Sequence, residues 1–330
     1  MRVIHWGIIG CGDIVRRRVG PALKSLANCD IAGVSRNNPD RLDTCQDELK
    51  ARRGFVDWRE LVRGDGIDAV YIATPVHQHS EQVLAALQHG KHVLCEKPLG
   101  LNQEECQKVL TASRQSTACL GVAYYRRYYP VVRRLKEIVD SGEIGDIILA
   151  SAEASETFLP AVDHPRRWIL EKSRAGGGSL MDFGCHRIEV LLHLLGKEIA
   201  AGGAWGRAYA GQDVEDTATV AIQFERGATG VVTVTRGGTV ARDALSIQGT
   251  RGVLQVENLN GGWMTLSGED GTRQETLPCH DNPHLPLIDA FCTAIREKRP
   301  PDVDAEMGWR VQRIIDTVYL NRSFSNGKEP

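Results

Sequence analysis

Short apolar runs alternate with helical patterns over the first third of the chain. The segments between the runs have lengths that suit crossover helices, as in Ser80–His89 before Gly90. Crossover helices join parallel strands in β–α–β units. The pattern therefore predicts a doubly wound parallel α/β sheet, a Rossmann domain, over residues 1–122. The apolar runs that predict its strands are residues 3–9, 29–34, 53–56, 68–73, 92–95 and 117–122.

The pattern changes after residue 122, where strand-like runs follow one another with little helix between them. A helix is predicted to begin near Pro130 and to end near Gly142, and helical patterns return at 285–298 and 304–320. Consecutive strands without crossover helices indicate antiparallel pairing. We therefore expect an α+β domain with an open, largely antiparallel sheet over 123–330. The runs are Thr217–Phe224, Gly230–Thr235, Ala244–Gln248 and Gly252–Val256.

The outer face of this open sheet has consequences for assembly. Alternation of apolar and polar residues in the four runs is too weak to define a fully polar outer face. An open sheet with such a face needs a cover, and a second copy of the chain is the simplest one. We therefore expect a homodimer or homotetramer.

Composition narrows the class of protein. A length of 330 residues favours two domains, and a formal net charge of -2 gives no reason to expect a nucleic-acid partner. No run approaches 18 uncharged apolar residues, so no membrane span is expected. Gly10, Gly12 and three successive arginines interrupt the first apolar run, which excludes the apolar core of a signal peptide.

The nine cysteines include no C-x-x-C pair. This spacing argues against a zinc ribbon or a thioredoxin motif. An odd number without a framework fits reduced thiols, so we expect a cytoplasmic protein. A secreted enzyme stapled by disulfides is the alternative.

A glycine pair follows the first predicted strand. Gly10 suits a tight turn, and Gly12 lets the backbone approach a pyrophosphate, which the amides of Asp13 and Ile14 would face. Val15 takes the third place of the fingerprint, normally Gly or Ala, so we expect looser packing of helix on strand. An ordinary strand–helix turn is the alternative. The position after the first strand of a β–α–β pattern favours dinucleotide binding.

The end of the second strand bears on the choice of cofactor. An acidic residue there would bind the ribose 2′-hydroxyl of NAD, but this chain has Ser35 and Arg36. A hydroxyl followed by a guanidinium suits a 2′-phosphate, because arginine binds phosphate with two hydrogen bonds. We therefore expect NADP. The alternative is NAD with a solvated Arg36.

Three further candidate residues follow the end of the fourth strand, at the edge of the sheet where ligands bind. Thr74 and Pro75 lie there, and His79 follows at a helix start. We expect all three to line the cofactor site. A histidine whose hydrogen bonds are satisfied within the protein, or a surface histidine, is the alternative for His79.

The fifth strand ends in Glu96-Lys97-Pro98. Proline cannot continue a ladder and holds Lys97 in a defined place. A cation there would polarise a carbonyl and stabilise developing alkoxide charge. We therefore expect Glu96 and Lys97 at the cofactor edge, with Lys97 at the reacting centre. A surface lysine is the alternative.

A second constellation follows the triple glycine Gly176–Gly178. Ser179 is expected to cap the next helix. Asp182 and His186 are four residues apart and share one face of that helix, where the carboxylate would orient the imidazole and raise its proton affinity. An exposed ion pair is the alternative. A zinc site that added His193 lacks a defined motif, so no metal is expected.

Together these motifs resemble the glucose–fructose oxidoreductase and inositol dehydrogenase family (Gfo/Idh/MocA), over nearly the whole chain. The resemblance implies that Lys97, Asp182 and His186 lie together across the domain interface, that the peptide after Lys97 is often cis, and that the open sheet mediates oligomers. It also implies that Trp168 lies near the nicotinamide. Many members have Arg after that tryptophan, whereas this chain has Ile169, which weakens the expected contact.

Aromatic and basic residues follow the sixth strand, as in members similar to anhydrofructose reductase, xylose dehydrogenase and dihydrodiol dehydrogenase. Tyr124, Tyr125 and Arg126 would bind sugar hydroxyls by stacking and hydrogen bonding. A structural hinge between domains is the alternative.

The sequence thus predicts an oxidoreductase that transfers a hydride between NADP(H) and a sugar, polyol or related carbonyl compound. Lys97 would polarise the oxygen, His186 would supply the proton, and Asp182 would orient the histidine. Two alternatives stay open. One is a glycosidase or lyase of the same fold that uses NAD transiently, and the other is a non-catalytic regulator that senses a dinucleotide.

Overall fold

The computed structural model describes residues 2–208, 213–269 and 271–320, whose strands form two sheets. The first sheet contains β1 (Ile4–Ile9), β2 (Cys29–Ser35), β3 (Arg53–Phe55), β4 (Ala69–Ile72), β5 (His92–Cys95) and β6 (Leu120–Val122). The second contains β7 (Ile147–Glu156), β8 (Glu198–Gly206), β9 (Thr217–Phe224), β10 (Thr229–Arg236), β11 (Arg242–Gly249), β12 (Gly252–Val256), β13 (Trp263–Gly268) and β14 (Gly271–Thr276).

The α-helices flank these sheets in both halves of the chain. They are α1 (Gly20–Ser25), α2 (Pro39–Leu49), α3 (Trp58–Arg63), α4 (His79–Gln88), α5 (Gln103–Gln115), α6 (Pro130–Ser141), α7 (Lys172–Ala175), α8 (Cys185–Leu195), α9 (Leu285–Glu297) and α10 (Ala305–Leu320). Within the described residues, no helix is both long enough and apolar enough to cross a bilayer.

The first sheet has the strand order β3-β2-β1-β4-β5-β6, and all of its pairings are parallel. The order reverses between β1 and β4, and ligands of open α/β sheets bind beyond the carboxyl ends of the strands at such a point. All six predicted strands are present, and the predicted Rossmann architecture is confirmed.

The chain divides into two compact units. One holds the residues up to Tyr125 together with His280–Arg310, and the other holds Arg126–Cys279 with the chain from Val311 onward. The predicted domains 1–122 and 123–330 are defined by the ligand that each would bind rather than by packing. Those domain assignments therefore stay a prediction.

Helix α9 belongs to the first unit because its apolar face packs on the parallel sheet. The ring centroid of Phe291 lies 5.9 Å from that of Trp6 on β1. Gly121 of β6 makes room for the same ring, since a Cβ there would lie 2.9 Å from Phe291 Cδ2. The sheet is thus completed by a helix from near the end of the chain.

The second sheet has the order β14-β13-β12-β11-β7-β10-β9-β8. Its pairings are antiparallel except that of β7 with β10, so the predicted largely antiparallel sheet is confirmed. Burial alternates strictly along β9, where Ala218, Val220, Ile222 and Phe224 are buried. One face therefore packs on the core of this unit, where α8 contacts β7 and β10.

The expectation of fully reduced cysteines is wrong. Cys11 and Cys45 form a disulfide, and the other seven cysteines are not disulfide-bonded. Sequence spacing failed to indicate the bond because the partners stand 34 residues apart, on different elements. The cytoplasmic location rested on reduced thiols and stays a prediction.

Candidate functional site

The glycine loop after β1 has the backbone that a dinucleotide phosphate site needs. Gly10 has φ +90°, and a Cβ there would lie 2.8 Å from the carbonyl oxygen of Ala73, so only glycine fits. A Cβ at Gly12 would meet none of the described atoms within 4 Å. The protein itself therefore does not require glycine at position 12, whereas close approach of a phosphate would.

The helix after this loop begins with the amides of Asp13 and Ile14 and continues as a π-helical turn, Val15–Val19. The first amides of a helix lack intrahelical acceptors, and they face an anion favourably. Val15 at the third fingerprint place is fully buried. Loop and helix start together fit the pyrophosphate of a dinucleotide.

A disulfide connects this loop to α2, the helix that follows the second strand. Cys11 lies between the two glycines, and Cys45 lies on the buried face of α2. Because α2 follows directly on Ser35 and Arg36, the bond connects the loop that would hold the pyrophosphate to the segment that would hold the ribose.

Arg36 lies against the glycine loop. Its Nη1 donates to the carbonyl oxygen of Cys11 at 2.6 Å, and the side chain is half-buried. Burial lowers the pKa of Arg36, and the charges of Arg41 and Arg16 lower it further. Three guanidinium groups thus share one neighbourhood, which is an environment that an added phosphate would stabilise. Ser35 is buried, and its carbonyl oxygen accepts the Gly10 amide at 3.0 Å.

His79 joins two segments of the ligand-binding edge. Its Nδ1 lies 2.8 Å from the carbonyl oxygen of Pro98, and its Nε2 lies 2.8 Å from that of Thr74. Burial lowers the pKa of His79, although both carbonyl contacts favour the protonated ring. Both ring nitrogens are therefore engaged within the protein. Contacts of His79, Thr74 and Pro75 with a cofactor stay a prediction.

Lys97 lies two residues beyond β5, at the carboxyl edge of the sheet, and is half-buried. The peptide between Lys97 and Pro98 is cis, as the family resemblance implied. The preceding Glu96 carboxylate is buried and accepts hydrogen bonds from Tyr71 and His284. Burial would raise the pKa of Glu96, but His284, Lys97 and Tyr71 hold it below its ordinary value.

In the second unit, a single carboxylate organises the triple glycine. Glu215 accepts hydrogen bonds from the amides of Gly178 at 2.8 Å and Leu180 at 2.9 Å, and from the Tyr319 hydroxyl at 2.9 Å. A Cβ at Gly178 would lie 1.8 Å from the Glu215 carbonyl oxygen. The glycine thus allows the backbone to come close enough to reach this carboxylate.

The prediction that Ser179 caps the following helix is wrong. Ser179 has helical backbone angles and makes no capping hydrogen bond through its side chain, and the segment Leu180–Gly184 is a π-helical turn that leads into α8. Glu215 already binds the amides at this helix start. A carboxylate is the stronger acceptor there, since its hydrogen bonds are charge-assisted.

Asp182 lies in the π-helical turn and His186 in the first turn of α8. The carboxylate of Asp182 is one-fifth exposed and accepts a hydrogen bond from Nη2 of Arg236 at 2.5 Å. Arg236 is fully buried at the end of β10. This guanidinium fixes the position of the Asp182 carboxylate. His186 is buried, and its predicted orientation by Asp182 stays a prediction.

The residues after β6 differ in their surroundings. Tyr124 is fully buried, and Tyr125 is half-buried with its ring stacked on that of His284. The guanidinium of Arg126 is buried and pairs with Asp243 at 2.5 Å. This pairing gives Arg126 a structural role within its unit. Substrate contacts of these residues stay a prediction.

Trp168 lies in a short 3-10 turn, Arg167–Leu170. Together with Phe158 it packs against a cluster formed by Ile169, Leu170 and Val214. Ile169, at the position where the family resemblance implied arginine in many members, is thus part of an apolar core. A contact between Trp168 and the nicotinamide stays a prediction.

Sequence reasoning missed Tyr71, Glu215, Arg236 and His284, because each meets its partner at least 25 residues away along the chain. One local signal was available: Glu215 belongs to an acidic run directly before a strand. In the described residues, no group of His, Cys, Asp and Glu is arranged to hold a metal ion.

Comparisons with known proteins agree with this arrangement. Residues 4–124 match the profile of the oxidoreductase family with an NAD-binding Rossmann fold, and residues 132–255 match the GFO/IDH/MocA C-terminal domain. An oxidoreductase of Formosa agariphila is 32% identical over 261 residues, which cover 76% of this chain and 78% of that protein.

Two further proteins are similar over most of their length. The 1,5-anhydro-D-fructose reductase of Ensifer adhaerens is 29% identical over 312 residues, 92% of each chain. In fold, a levoglucosan dehydrogenase in complex with NADH and levoglucosan superposes with a TM-score of 0.90. It is 24% identical, with 98% of each chain covered.

Proposed function

Because the chain belongs to the GFO/IDH/MocA family of oxidoreductases, we propose that it oxidises and reduces a sugar, polyol or related carbonyl compound with NADP(H). The relatives named above as a reductase of 1,5-anhydro-D-fructose and a dehydrogenase of levoglucosan support a carbohydrate-like substrate. The glycine loop and the helix start that follows it support a dinucleotide.

The observation that carries the preference for NADP is the position of Arg36. Its guanidinium lies against the glycine loop, with Arg16 and Arg41 close enough to lower its pKa. A 2′-phosphate would bring a negative charge to this group of cations, whereas NAD has a neutral hydroxyl there. Charge-assisted hydrogen bonds from a guanidinium to phosphate are among the strong ones.

When bound, a nicotinamide dinucleotide supplies the hydride acceptor or donor. Lys97 donates a hydrogen bond to the substrate oxygen and stabilises the negative charge that develops on it. His186 takes or gives the proton at that oxygen. Asp182, which accepts a hydrogen bond from Arg236, orients His186 for this transfer. Trp168, Tyr124, Tyr125 and Arg126 are proposed to border the ligands.

The test is an absorbance assay with NAD and NADP against levoglucosan, D-xylose, D-glucose, myo-inositol and 1,5-anhydro-D-fructose. The variant H186A should lower turnover of the best substrate by roughly 100-fold to 10,000-fold, the usual weight of a general acid–base group. K97A should be comparably severe, because it removes charge stabilisation at the oxygen.

The matched control is H193A, which truncates a half-buried histidine on the same helix. It should keep wild-type turnover. A folded H186A enzyme with wild-type turnover would refute the proton-transfer role. Release of hydrolysis products without net change in cofactor absorbance would indicate a glycosidase or lyase that uses the dinucleotide transiently.

A further inference from the structure

A buried network lies behind the turn that carries Lys97. His284 directly precedes α9, is fully buried, and has its Nε2 3.3 Å from Glu96 Oε1. The Tyr71 hydroxyl of β4 donates to the same oxygen at 2.8 Å. The other oxygen, Oε2, accepts the backbone amide of Lys97 at 3.3 Å. One carboxylate thus connects α9, β4 and the Lys97 backbone.

The ring of the same imidazole also contacts a second residue of the candidate site. The ring of Tyr125 stacks on that of His284 with centroids 4.6 Å apart and an angle of 36° between the planes. Tyr125 follows β6, whereas Lys97 follows β5, so the two come from neighbouring strands of the parallel sheet. His284 is in contact with both segments.

Burial makes the Glu96 carboxylate dependent on its hydrogen-bond partners. An ionised carboxylate away from water needs hydrogen bonds or an opposite charge, and removal of one partner leaves the charge uncompensated. The network therefore selects one position for Glu96, and with it one path for the backbone into Lys97. Catalysis by a placed cation is sensitive to displacements of about 1 Å.

We propose that His284 is a positioning residue that fixes Lys97, through Glu96, and Tyr125, through ring stacking, in one arrangement. This inference rests on the proposed function, in which Lys97 acts on the substrate oxygen and Tyr125 binds the substrate. The two contacts of the imidazole are chemically different and are therefore separable by substitution.

The experiment uses the full chain and the best substrate of the panel above. H284F keeps an aromatic ring against Tyr125 but loses the donor to Glu96. It should lower kcat by about 10-fold to 100-fold, while KM changes by less than about threefold. H284Q keeps a donor but loses the ring. It should raise KM by about fivefold or more with kcat within about threefold of wild type.

One further variant repeats the test at the other hydrogen-bond donor to Glu96, and another is the control for general loss of structure. Y71F removes one hydrogen bond from Glu96 without removing a ring, so it should fold and should lower kcat in the same direction as H284F. H92F alters a half-buried histidine at the other end of β5, where Nδ1 accepts the Cys119 amide at 2.9 Å. It should leave kcat and KM unchanged.

A readout without turnover completes the test. Reductive ¹³C-methylation labels the lysines, and the Lys97 NMR signal is identified by its loss in K97R. Wild type and H92F should give one narrow signal, and H284F should broaden or split it. The positioning role is overturned if H284F and Y71F match H92F in kinetics and in this spectrum. If K97A alone keeps wild-type turnover, the proposed function is wrong instead.

Discussion

Arg36 is the residue on which the cofactor preference depends. Its contact with the Cys11 carbonyl oxygen places the guanidinium beside the glycine loop rather than in open solvent. A charge-assisted hydrogen bond to a 2′-phosphate contributes about 1.5–3 kcal/mol, or roughly 10-fold to 150-fold in affinity. R36A should therefore weaken NADPH binding by at least about tenfold and leave NADH binding within about threefold.

Fluorescence titration of both reduced cofactors measures this change. R59A is the matched control, because Arg59 lies in the same unit and pairs with Glu81 on the surface. Equal affinity of the wild type for NADH and NADPH, with no effect of R36A on either, would show that Arg36 takes no part in cofactor binding and that the NADP assignment is wrong.

Gly178 is a second position with a specific steric requirement, because the local structure has no room for a Cβ atom there. A Cβ there would overlap the backbone of Glu215, whose carboxylate accepts the Gly178 and Leu180 amides at the start of the helical segment with Asp182 and His186. G178A should lower the free energy of unfolding by roughly 1–3 kcal/mol or more, the range for overpacked sites. Urea denaturation measures it. G206A, where a Cβ would meet none of the described atoms within 4 Å, should cost less than about 1 kcal/mol.

At the scale of elements, the parallel sheet was predictable because buried strands are continuous apolar runs. Strand β7 was missed, although it lies in the middle of the second sheet. From Ala150 onward it consists of small and polar residues, with Ala150, Ala152 and Ala154 facing the core, and its strand conformation is decided by its neighbours. The glycine-rich β8 was missed for the same reason.

Candidate site residues followed a similar rule. Residues at strand ends or at helical spacing, such as Lys97 and His186, are visible in a local pattern. The hydrogen-bond partners of Glu215 and His284 are not, because they lie 37 and 188 residues away along the chain. The predicted cap at Ser179 was wrong because the Glu215 carboxylate binds the amides at this helix start. A residue that distant in the sequence is not part of the local pattern on which a cap prediction rests.

The disulfide between the glycine loop and α2 gives a prediction about elements. Closing a loop of this length restricts the unfolded chain and stabilises by about 2–4 kcal/mol. C45S should lower the free energy of unfolding by that amount without reductant, and wild type and C45S should be alike in dithiothreitol. Thiol titration of denatured wild type should find seven free thiols before reduction.

Cys279, which is a free thiol, provides the control for this experiment. C279S should show the wild-type response to reductant. If nine thiols titrate in protein purified without reductant, or if C45S and wild type unfold alike there, the bond is absent in solution.

At the scale of the whole molecule, the outer face of the second sheet supports the proposal of a homo-oligomer. Val231 lies on that face of β10, half-buried between Ser151 of β7 and Ala221 of β9. Small, weakly polar side chains of this kind form a surface that a second copy can cover. Sedimentation at micromolar concentration should therefore give at least a dimer.

A charge at the centre of this face should dissociate the oligomer, because a buried unpaired lysine is costly. V231K is therefore expected to sediment as a monomer near 36 kDa. T229K, at the start of the same strand, should retain the oligomer, since Thr229 is already exposed. A wild-type monomer across the concentration range would refute the proposal.

The discontinuity of the first unit has a consequence for synthesis in the cell. Its parallel sheet leaves the ribosome before the second sheet, but α9, which brings Phe291 against Trp6 and Gly121, is translated only after strands β7–β14. During that interval the apolar groove for α9 stays open on the nascent chain, and exposed apolar surface of this kind attracts chaperones and promotes aggregation. The first unit therefore cannot be completed until the whole second sheet has been made, and translation products truncated before α9 are expected to be substrates for quality control.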